Sequence, residues 1–322
     1  MRSVSTTLLR QMYRTMVRIR LTEERIATLV EHGDIKTPCH LCIGQEAIAT
    51  GVCAALQKED YVWGGHRSHG HYLARGGDLT KLVAEVFGRV TGCSKGRGGS
   101  MHLFASNVGI LGTVPIVAAT IPLAVGAGLA SKMRKEARVS VVFFGDGAAE
   151  EGHFHESLNL AALHRLPVLF VCENNFYASH LPLLERRPAD TLYRMAEAYG
   201  IPGVRLDGND AVEVYGRART ALARARDGSG PALLECRTYR WRGHVGASWD
   251  QDVGTKRRDE LKGWLAKDPI RRARKALTAL GVGSEFFASV EHDILAEIDE
   301  AVVLARHAPA PSASDLLRHV FA

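Results

Sequence analysis

The sequence lacks an uninterrupted apolar run of about 18 or more residues, the length that a transmembrane helix requires, so no membrane span is predicted. It is also poor in cysteine, with six in 322 residues. Most of these lie in apolar stretches, where a free thiol behaves as a small buried hydrophobe. Cys39 and Cys42 form one Cys-x-x-Cys pair, but no second half-site completes a zinc site. These features favour a cytoplasmic protein that folds without disulfides.

Dense basic clusters are missing as well, although 41 Lys and Arg residues against 35 Asp and Glu residues give a net charge of +6. A nucleic-acid-binding face normally carries a basic stripe with interleaved aromatic residues. The basic residues here are scattered, which disfavours nucleic acid as a partner. A solvated surface or an anionic ligand accounts for the surplus better.

Short apolar runs alternate with helical patterns in the second half of the chain. Four runs have the length and β-branched content of buried strands, at residues 139–144, 167–172, 204–206 and 232–236. Helices are predicted between them, at residues 150–164, 189–199 and 211–225. This alternation predicts an α/β fold in which a parallel sheet carries helices on both faces.

Further helices are predicted on either side of this region. They lie at residues 8–31, 44–56 and 122–135 before the first run, and at residues 257–307 after the last. Residues 90–112 are rich in glycine, which predicts irregular backbone that passes close to another group. We therefore predict one domain over residues 1–322, with N-terminal helical additions and a C-terminal helical segment at 257–322.

Polar residues follow three of the predicted strands. Asp146 lies between Gly145 and Gly147, Asn175 follows the second strand, and His244 follows the last. In open α/β sheets, ligands bind outside the carboxyl ends of the strands. The three groups are therefore expected to meet in one site.

The chemistry of this edge suits a phosphate and a hard cation. The amides of Gly147 and Ala148 are predicted to open a helix whose N-terminus can receive a phosphate group. Asp146 and Asn175 offer the oxygen ligands that magnesium prefers when it joins a protein to a phosphate. A plain turn often contains Gly-Asp-Gly, so the interpretation rests on the whole unit, in which 26 residues separate Gly147 from Asn174.

This unit resembles the thiamine-diphosphate motif, Gly-Asp-Gly followed by Asn-Asn. Four other segments resemble the α subunits of pyruvate, branched-chain and acetoin dehydrogenases, the E1 components of 2-oxo acid dehydrogenases. They are HLCIGQEA at 40–47, HRSHG at 66–70, KGRGGSMH at 95–102 and DPI at 268–270. The resemblance extends over almost the whole chain.

The resemblance implies a thiamine-diphosphate-binding fold, with Mg²⁺ held by Asp146, Asn175 and the main-chain oxygen of Tyr177. It implies that His40 lies beside the diphosphate and the substrate, and that His244 assists acyl transfer. Together with the strand-end residues, it gives a candidate cofactor-binding set of His66, Arg67, Pro115, Val117, Gly145, Asp146, Gly147, Ala148, Asn175, Tyr177 and His244. Neither the residues nor the resemblance assigns a role to His69 or His102.

The implied activity is thiamine-diphosphate- and Mg²⁺-dependent decarboxylation of a 2-oxo acid, or C–C cleavage of an acyloin, with acyl transfer to a lipoyl carrier. The implied assembly is an α2β2 heterotetramer with active sites between α and β subunits, served by a lipoyl-bearing acyltransferase. The β subunit is expected to supply the glutamate that activates the cofactor. Glu46 is the obvious internal candidate, but its segment belongs to the α subunit in this family.

The sequence departs from the family pattern at three places. Position 66 is histidine where pyruvate dehydrogenases usually have tyrosine, which is closer to the acetoin-type members. Val245 stands where the regulated enzymes carry a phosphorylatable serine, so that control is not expected. The usual Tyr-Arg of the following loop is replaced by GTKRR at 254–258, which bears on docking to the acyltransferase.

Two alternatives stay open. The altered loop after His244 would suit a two-component acyloin or ketol transferase that uses a sugar or small aldehyde acceptor without lipoamide. A nucleotide-binding regulatory module would use residues 96–99 as a phosphate loop. That loop lacks the Lys-Ser/Thr ending of a P-loop and the strand–turn–helix setting of a dinucleotide fingerprint.

Overall fold

The computed structural model describes residues 4–249, 258–315 and 317–318. The strands are β1 (Tyr61–Gly64), β2 (Ile110–Thr113), β3 (Ser140–Gly145), β4 (Val168–Asn174), β5 (Tyr177–Ala178), β6 (Leu181–Pro182), β7 (Gly203–Asp207) and β8 (Ala232–Arg237). Six of them form one parallel sheet in the order β2-β1-β3-β4-β8-β7, and β5 pairs with β6 in a small antiparallel ribbon. The predicted parallel sheet is therefore confirmed.

Helices occupy most of the remaining described chain. They are α1 (Thr6–Glu31), α2 (Glu46–Ala54), α3 (His69–Ala74), α4 (Leu79–Val86), α5 (Thr120–Met133), α6 (Gly152–Leu163), α7 (Leu183–Arg186), α8 (Ala211–Arg226), α9 (Arg258–Leu265), α10 (Pro269–Ala279) and α11 (Ser284–His307). Short 3₁₀ helices lie at Ser106–Val108, Asp146–Glu150, Leu192–Tyr199 and Ala313–Asp315. None of the helices in the described ranges combines the length and the apolar character needed to cross a membrane.

The central strands are buried on both faces. Successive side chains of a strand point to opposite sides, and those of β3 divide accordingly. Val141 and Phe143 join a core with helices α1, α2 and α8, whereas Val142 and Phe144 join a second core with α5 and α6. Helices on both faces are thus confirmed, and this double burial explains why these strands read as continuous apolar runs.

Several strands and helices differ from the prediction. Strands β1 and β2 were not predicted, because each is four residues long and contains glycine. The helix expected from residue 150 begins at Gly152, since Glu151 has an extended backbone (ψ 141°) after the 3₁₀ turn. Gly147 and Ala148 therefore lie in the first turn of the 3₁₀ helix Asp146–Glu150 and not of α6, and phosphate binding by their amides stays a prediction. The helix expected at 189–199 is the 3₁₀ helix Leu192–Tyr199.

The glycine-rich segment wraps around a buried carboxylate. Glu85, at the end of α4, is fully buried. Its carboxylate accepts hydrogen bonds from the main-chain amides of Ser94 (2.7 Å), Gly96 (3.0 Å), Gly98 (2.7 Å) and Gly99 (3.2 Å). The backbone of Gly96 and Gly99 has positive φ, which favours glycine there. Because these amides bind the chain's own carboxylate, this segment does not form the phosphate loop that a nucleotide-binding module would need.

We predict that Glu85→Ala lowers the free energy of unfolding by about 3 kcal/mol, because four amides lose a charged acceptor in a buried position. Chemical denaturation followed by circular dichroism measures the change. The exposed Glu59→Ala is the matched control and should stay within about 0.5 kcal/mol of the parent. Equal stability of the two variants would contradict the role given to Glu85.

Candidate active site

A pocket of about 400 Å³ lies at the carboxyl edge of the sheet. Its wall takes residues from the loops after β1, β3, β4 and β8 and from the segment before α5. All of the sequence-predicted site residues line it, namely His40, His66, Arg67, Pro115, Val117, Gly145, Asp146, Gly147, Ala148, Asn175, Tyr177 and His244. One pocket therefore gathers residues that are more than 200 positions apart in sequence.

Three candidate metal ligands follow β3 and β4. Asp146 and Asn175 are buried beside the neighbouring strand ends, where Gly145 pairs with Glu173. The side-chain oxygen of Asn175 accepts a hydrogen bond from the amide of Tyr177 at 3.3 Å, and its Nδ2 donates to Oε1 of Gln45 at 3.1 Å. This pair of bonds fixes which end of the Asn175 amide is the oxygen.

The chain's own cations contact these oxygen atoms. The guanidinium of Arg186 donates to the carboxylates of both Asp146 and Glu150. The main-chain oxygen of Tyr177 accepts from Nη1 of Arg240 at 3.4 Å. Burial raises the pKa of Asp146, and the charge of Arg186 opposes that rise. Arg186 was not predicted, because only the fold of the 177–186 segment brings it to Asp146.

Three imidazoles meet on another part of the pocket wall. The ring centroids of His40, His66 and His244, hereafter the histidine cluster, are separated by 4.5 Å (His40 to His66), 5.1 Å (His40 to His244) and 5.4 Å (His66 to His244). His244 lies seven residues beyond β8 and not directly at its end, so its loop and not the strand sets its position. The expected meeting of His244 with the strand-end residues is nevertheless observed.

Two members of the histidine cluster are held neutral. Burial and the nearby charge of Arg67 lower the pKa of His40 from 6.5 to about 3 and that of His66 from 6.5 to about 2. At neutral pH each ring therefore offers one N–H donor and one lone pair. Neutral imidazoles suit hydrogen bonding and proton transfer better than they suit simple charge attraction to an anion.

Arg67 connects the loops that carry the cluster. Its Nη1 donates to the main-chain oxygen of Leu41 at 2.6 Å, and its Nη2 donates to that of His244 at 3.1 Å. Leu41 adjoins His40, so one guanidinium fixes the positions of His40 and His244. In this structure Arg67 has a bracing role that its sequence did not predict, and its contact with a diphosphate stays a prediction.

His69 and His102 lie outside the pocket lining. His69 is fully buried, with Nδ1 3.2 Å from Glu23 Oε1 and Nε2 2.9 Å from Ser100 Oγ. This Ser-His-Glu arrangement has the connectivity of a hydrolytic triad, but its burial denies a substrate access, so it joins α1 to the glycine-rich segment. The exposed His102 places Nδ1 3.3 Å from the main-chain oxygen of Gly98.

Glu46 is a structural residue of α2. It is fully buried, and its carboxylate accepts from the guanidinium of Arg20 and from the amide of Gly44 at 2.9 Å. It does not line the pocket. The pocket instead contains Glu173, whose Oε2 is 3.2 Å from Nε2 of His71. Sequence reasoning missed this pair, although Glu173 directly precedes the Asn-Asn motif.

A carboxylate from the C-terminal helices also reaches the site. Glu260 of α9 accepts hydrogen bonds from the hydroxyls of Tyr177 and Tyr239, each at 2.8 Å. Trp264 of the same helix stacks on Tyr239 and contacts Phe176. Helix α9 is thereby attached to the segments that follow β4 and β8. No local sequence pattern marks Glu260, because its partners are about 20 and 80 residues away.

Comparison with known proteins agrees with this site. The model of the family described as dehydrogenase E1 component matches residues 13–314. The chain belongs to this family. It is 40% identical to the α subunit of acetoin:2,6-dichlorophenolindophenol oxidoreductase of Bacillus subtilis, over 96% of this chain and 92% of that one. It is 37% identical to the pyruvate dehydrogenase E1 component subunit α of Porphyra purpurea, over 97% of this chain and 92% of that one.

A third relative gives the same result. The pyruvate dehydrogenase E1 component subunit α of Zymomonas mobilis is 40% identical over 96% of this chain and 87% of its own. The predicted E1 family is thus confirmed, together with its enzyme class and an α-type chain. Membership in the E1 family implies thiamine diphosphate as the cofactor. The structure does not bear on the expected effect of the altered loop at 254–258 on docking to an acyltransferase, because residues 250–257 lie outside the described ranges.

We predict that the rings of His40 and His66 do not titrate between about pH 5 and 8, where an ordinary histidine does. Proton NMR of the ring signals tests this, with His66→Phe and His40→Phe supplying the assignments. Both pKa values are lower in the folded state than the ordinary 6.5, so the unfolded chain binds protons more readily. Protonation of these rings in the unfolded chain therefore lowers the free energy of unfolding as the pH falls below about 6.5. A midpoint near 6.5 for either ring would contradict the burial argument.

Proposed function

We propose that the chain is the α subunit of an α2β2 E1 component that uses thiamine diphosphate and Mg²⁺. Its reaction is the decarboxylation of a 2-oxo acid, or the C–C cleavage of an acyloin, with transfer of the acyl unit to a lipoyl carrier. The observation that carries the proposal is one pocket in which the oxygens of Asp146, Asn175 and Tyr177 lie together with the histidine cluster. This combination provides one region for a metal-bound diphosphate and another for the reacting carbonyl.

The residues present fit a magnesium diphosphate. A carboxylate, an amide oxygen and a main-chain carbonyl are hard oxygen donors, the type that Mg²⁺ selects. Gly145 lines the pocket, and a Cβ at this position would meet no atom of the chain within 4 Å. The backbone at Gly145 therefore leaves room for close approach of a ligand. The oxygens of Asp146, Asn175 and Tyr177, hereafter the oxygen set, would hold the metal.

The chain's own side chains position the substrate and transfer protons. When bound, thiamine diphosphate supplies the carbanion chemistry, and the protein supplies orientation and electrostatics. Neutral His40 and His66 can each donate a hydrogen bond to a substrate oxygen and accept one from a hydroxyl. His244, fixed by its main-chain bond to Arg67, is placed to move a proton during acyl transfer. Pro115 and Val117 form the apolar wall assigned to the aminopyrimidine ring.

A second subunit is proposed because the pocket is open and its buried acids are already paired. Ile116 and Val117 at the pocket are 71% and 47% exposed. Exposed apolar side chains also lie on α5 and α6, at Leu123, Met133, Leu160 and Leu163. Such a surface marks a protein interface. With Glu46 bound to Arg20 and Glu173 paired with His71, we assign the activating glutamate to the β subunit.

The remaining assignments follow from the same features. One domain is proposed because both cores share a single sheet. A cytoplasmic location is proposed because the six cysteines are free. A lipoyl acceptor is preferred to a sugar or aldehyde acceptor because the matching family is described as dehydrogenase E1 component and two of the relatives above are pyruvate dehydrogenase E1 subunits.

We predict that Asp146→Ala abolishes Mg²⁺-dependent binding of thiamine diphosphate, because the diphosphate then loses its main charge bridge to the protein. Isothermal calorimetry on the α–β complex measures this. Glu151→Ala removes a carboxylate from the same pocket without touching the oxygen set and should bind the cofactor normally. Native affinity in the Asp146 variant would refute the metal assignment, provided its melting curve shows a folded protein.

We predict that the isolated chain shows no turnover with thiamine diphosphate and Mg²⁺, and that the co-expressed β chain restores it. The missing aminopyrimidine-binding glutamate is the physical reason. Decarboxylation coupled to an artificial electron acceptor is the assay, run on a panel of 2-oxo acids and acyloins. Robust turnover by the chain alone would place the activating role on an internal carboxylate, and Glu173→Gln would then identify it.

A further inference from the structure

We propose that His40, His66 and His244 form a binding site for a divalent metal ion, principally zinc, and that a bound ion blocks the reaction. This site is separate in chemistry from the oxygen set at Asp146. Imidazole nitrogens suit zinc, whereas carboxylate and carbonyl oxygens suit magnesium. The proposal goes beyond the proposed function, and only its inhibitory part rests on it.

The spacing of the three rings fits one tetrahedral ion. With Zn–N bonds of about 2.0–2.1 Å, imidazole centroids around a tetrahedral zinc are about 5 Å apart. The observed centroid separations run from 4.5 to 5.4 Å, with interplanar angles of 58°, 79° and 67°. One ligand nitrogen from each ring lies within 4.8 Å of the other two, against about 3.3 Å in such a site. Side-chain rotations that move these nitrogens by about 1 Å close the site.

The state of the rings favours coordination. The Nδ1 atom of His40 is buried and has no hydrogen-bond partner among the described residues. Metal binding requires an unprotonated imidazole nitrogen, and the buried Nδ1 of His40 is available because it has no competing partner in the described part of the chain. The two main-chain bonds of Arg67 hold the loops of His40 and His244 at a fixed separation.

The imidazole nitrogens, and not the surrounding charge, supply the affinity for a cation. The pocket lining includes four carboxylates, Asp146, Glu150, Glu151 and Glu173, but Arg186 pairs with two of them and Arg67 lies beside the rings. Three protein nitrogens leave the fourth zinc position open toward the pocket. An ion there occupies the wall that the substrate must face, and it withdraws the imidazole lone pairs from proton transfer. Zinc binding and turnover are therefore mutually exclusive.

The site is tested first by metal binding alone. Cobalt(II) replaces zinc as the probe, because a tetrahedral nitrogen site gives it intense visible d–d absorption. We expect one ion per chain, displacement by zinc, and no displacement by excess Mg²⁺. His66→Phe and His244→Phe should each weaken binding by about 100-fold or more, since even loss of an outer-shell contact costs 10–100-fold. Zinc should also raise the melting temperature of the parent chain and not that of either variant.

Two controls separate this site from others. The ring of His180 is 6.4 Å from His244 and is not part of the cluster, so His180→Phe should keep parent affinity. Asp146→Ala should also keep the cobalt spectrum, because the oxygen set is not involved. A weak octahedral spectrum, or cobalt affinity unchanged in His66→Phe, would overturn the site.

The inhibitory role is tested in the α–β enzyme. Zinc should abolish turnover at the concentration that fills the cobalt site, and a chelator should restore it. Undiminished turnover with the site filled would overturn the inhibitory role. Absence of turnover in buffer that contains Mg²⁺ but neither zinc nor cobalt would count against the proposed function instead. The cobalt measurement would be unaffected, because it does not depend on activity.

Discussion

The parallel register of β3 and β4 is the constraint on which the site depends. With Gly145 opposite Glu173, the two strands end together, and the next residues of each are delivered to the same edge. Strand β8 continues the alignment by pairing Arg237 with Asn174. A one-residue register shift between β3 and β4 would separate Asp146 from Asn175 and move the side chains of the shifted strand to the opposite faces. The two apolar cores therefore fix the geometry of a polar site.

The buried carboxylates of this chain are bound to internal partners. Glu23, Glu46 and Glu85 are all fully buried, and each is matched by main-chain amides, a guanidinium or an imidazole. A charge taken out of water is tolerated only with such partners. The same requirement argues against two hypotheses. The glycine-rich segment is not a phosphate loop, because its amides bind Glu85, and Glu46 is not the activating glutamate, because it is bound to Arg20. Of the acids that line the pocket, Asp146 and Glu150 are bound by Arg186, and Glu173 pairs with His71.

The sequence predicts residues whose position follows from a local pattern, and it does not predict residues placed by contacts distant in the chain. Asp146 and Asn175 could be placed because each directly follows a long apolar strand, and strand ends meet in a parallel sheet. His66 and Arg67 follow β1, a four-residue strand too short to recognise, so their assignment rested on the family resemblance. The helix expected from residue 150 was displaced because one extended residue interrupts it. Gln45, Arg186 and Glu260 act through partners distant in the chain, and such contacts leave no periodic trace.

The shared carboxylate of Glu260 constrains how this chain can diverge. Tyr177 and Tyr239 are both buried, and their hydroxyls donate to the same oxygen atom of Glu260. Loss of Glu260 removes that acceptor from both hydroxyls, whereas loss of one tyrosine removes one of these two donors. A substitution at Tyr177, Tyr239 or Glu260 is therefore tolerated only when a second one compensates. We expect these three positions to change together among relatives, because they join the C-terminal helices to the segment that follows β4.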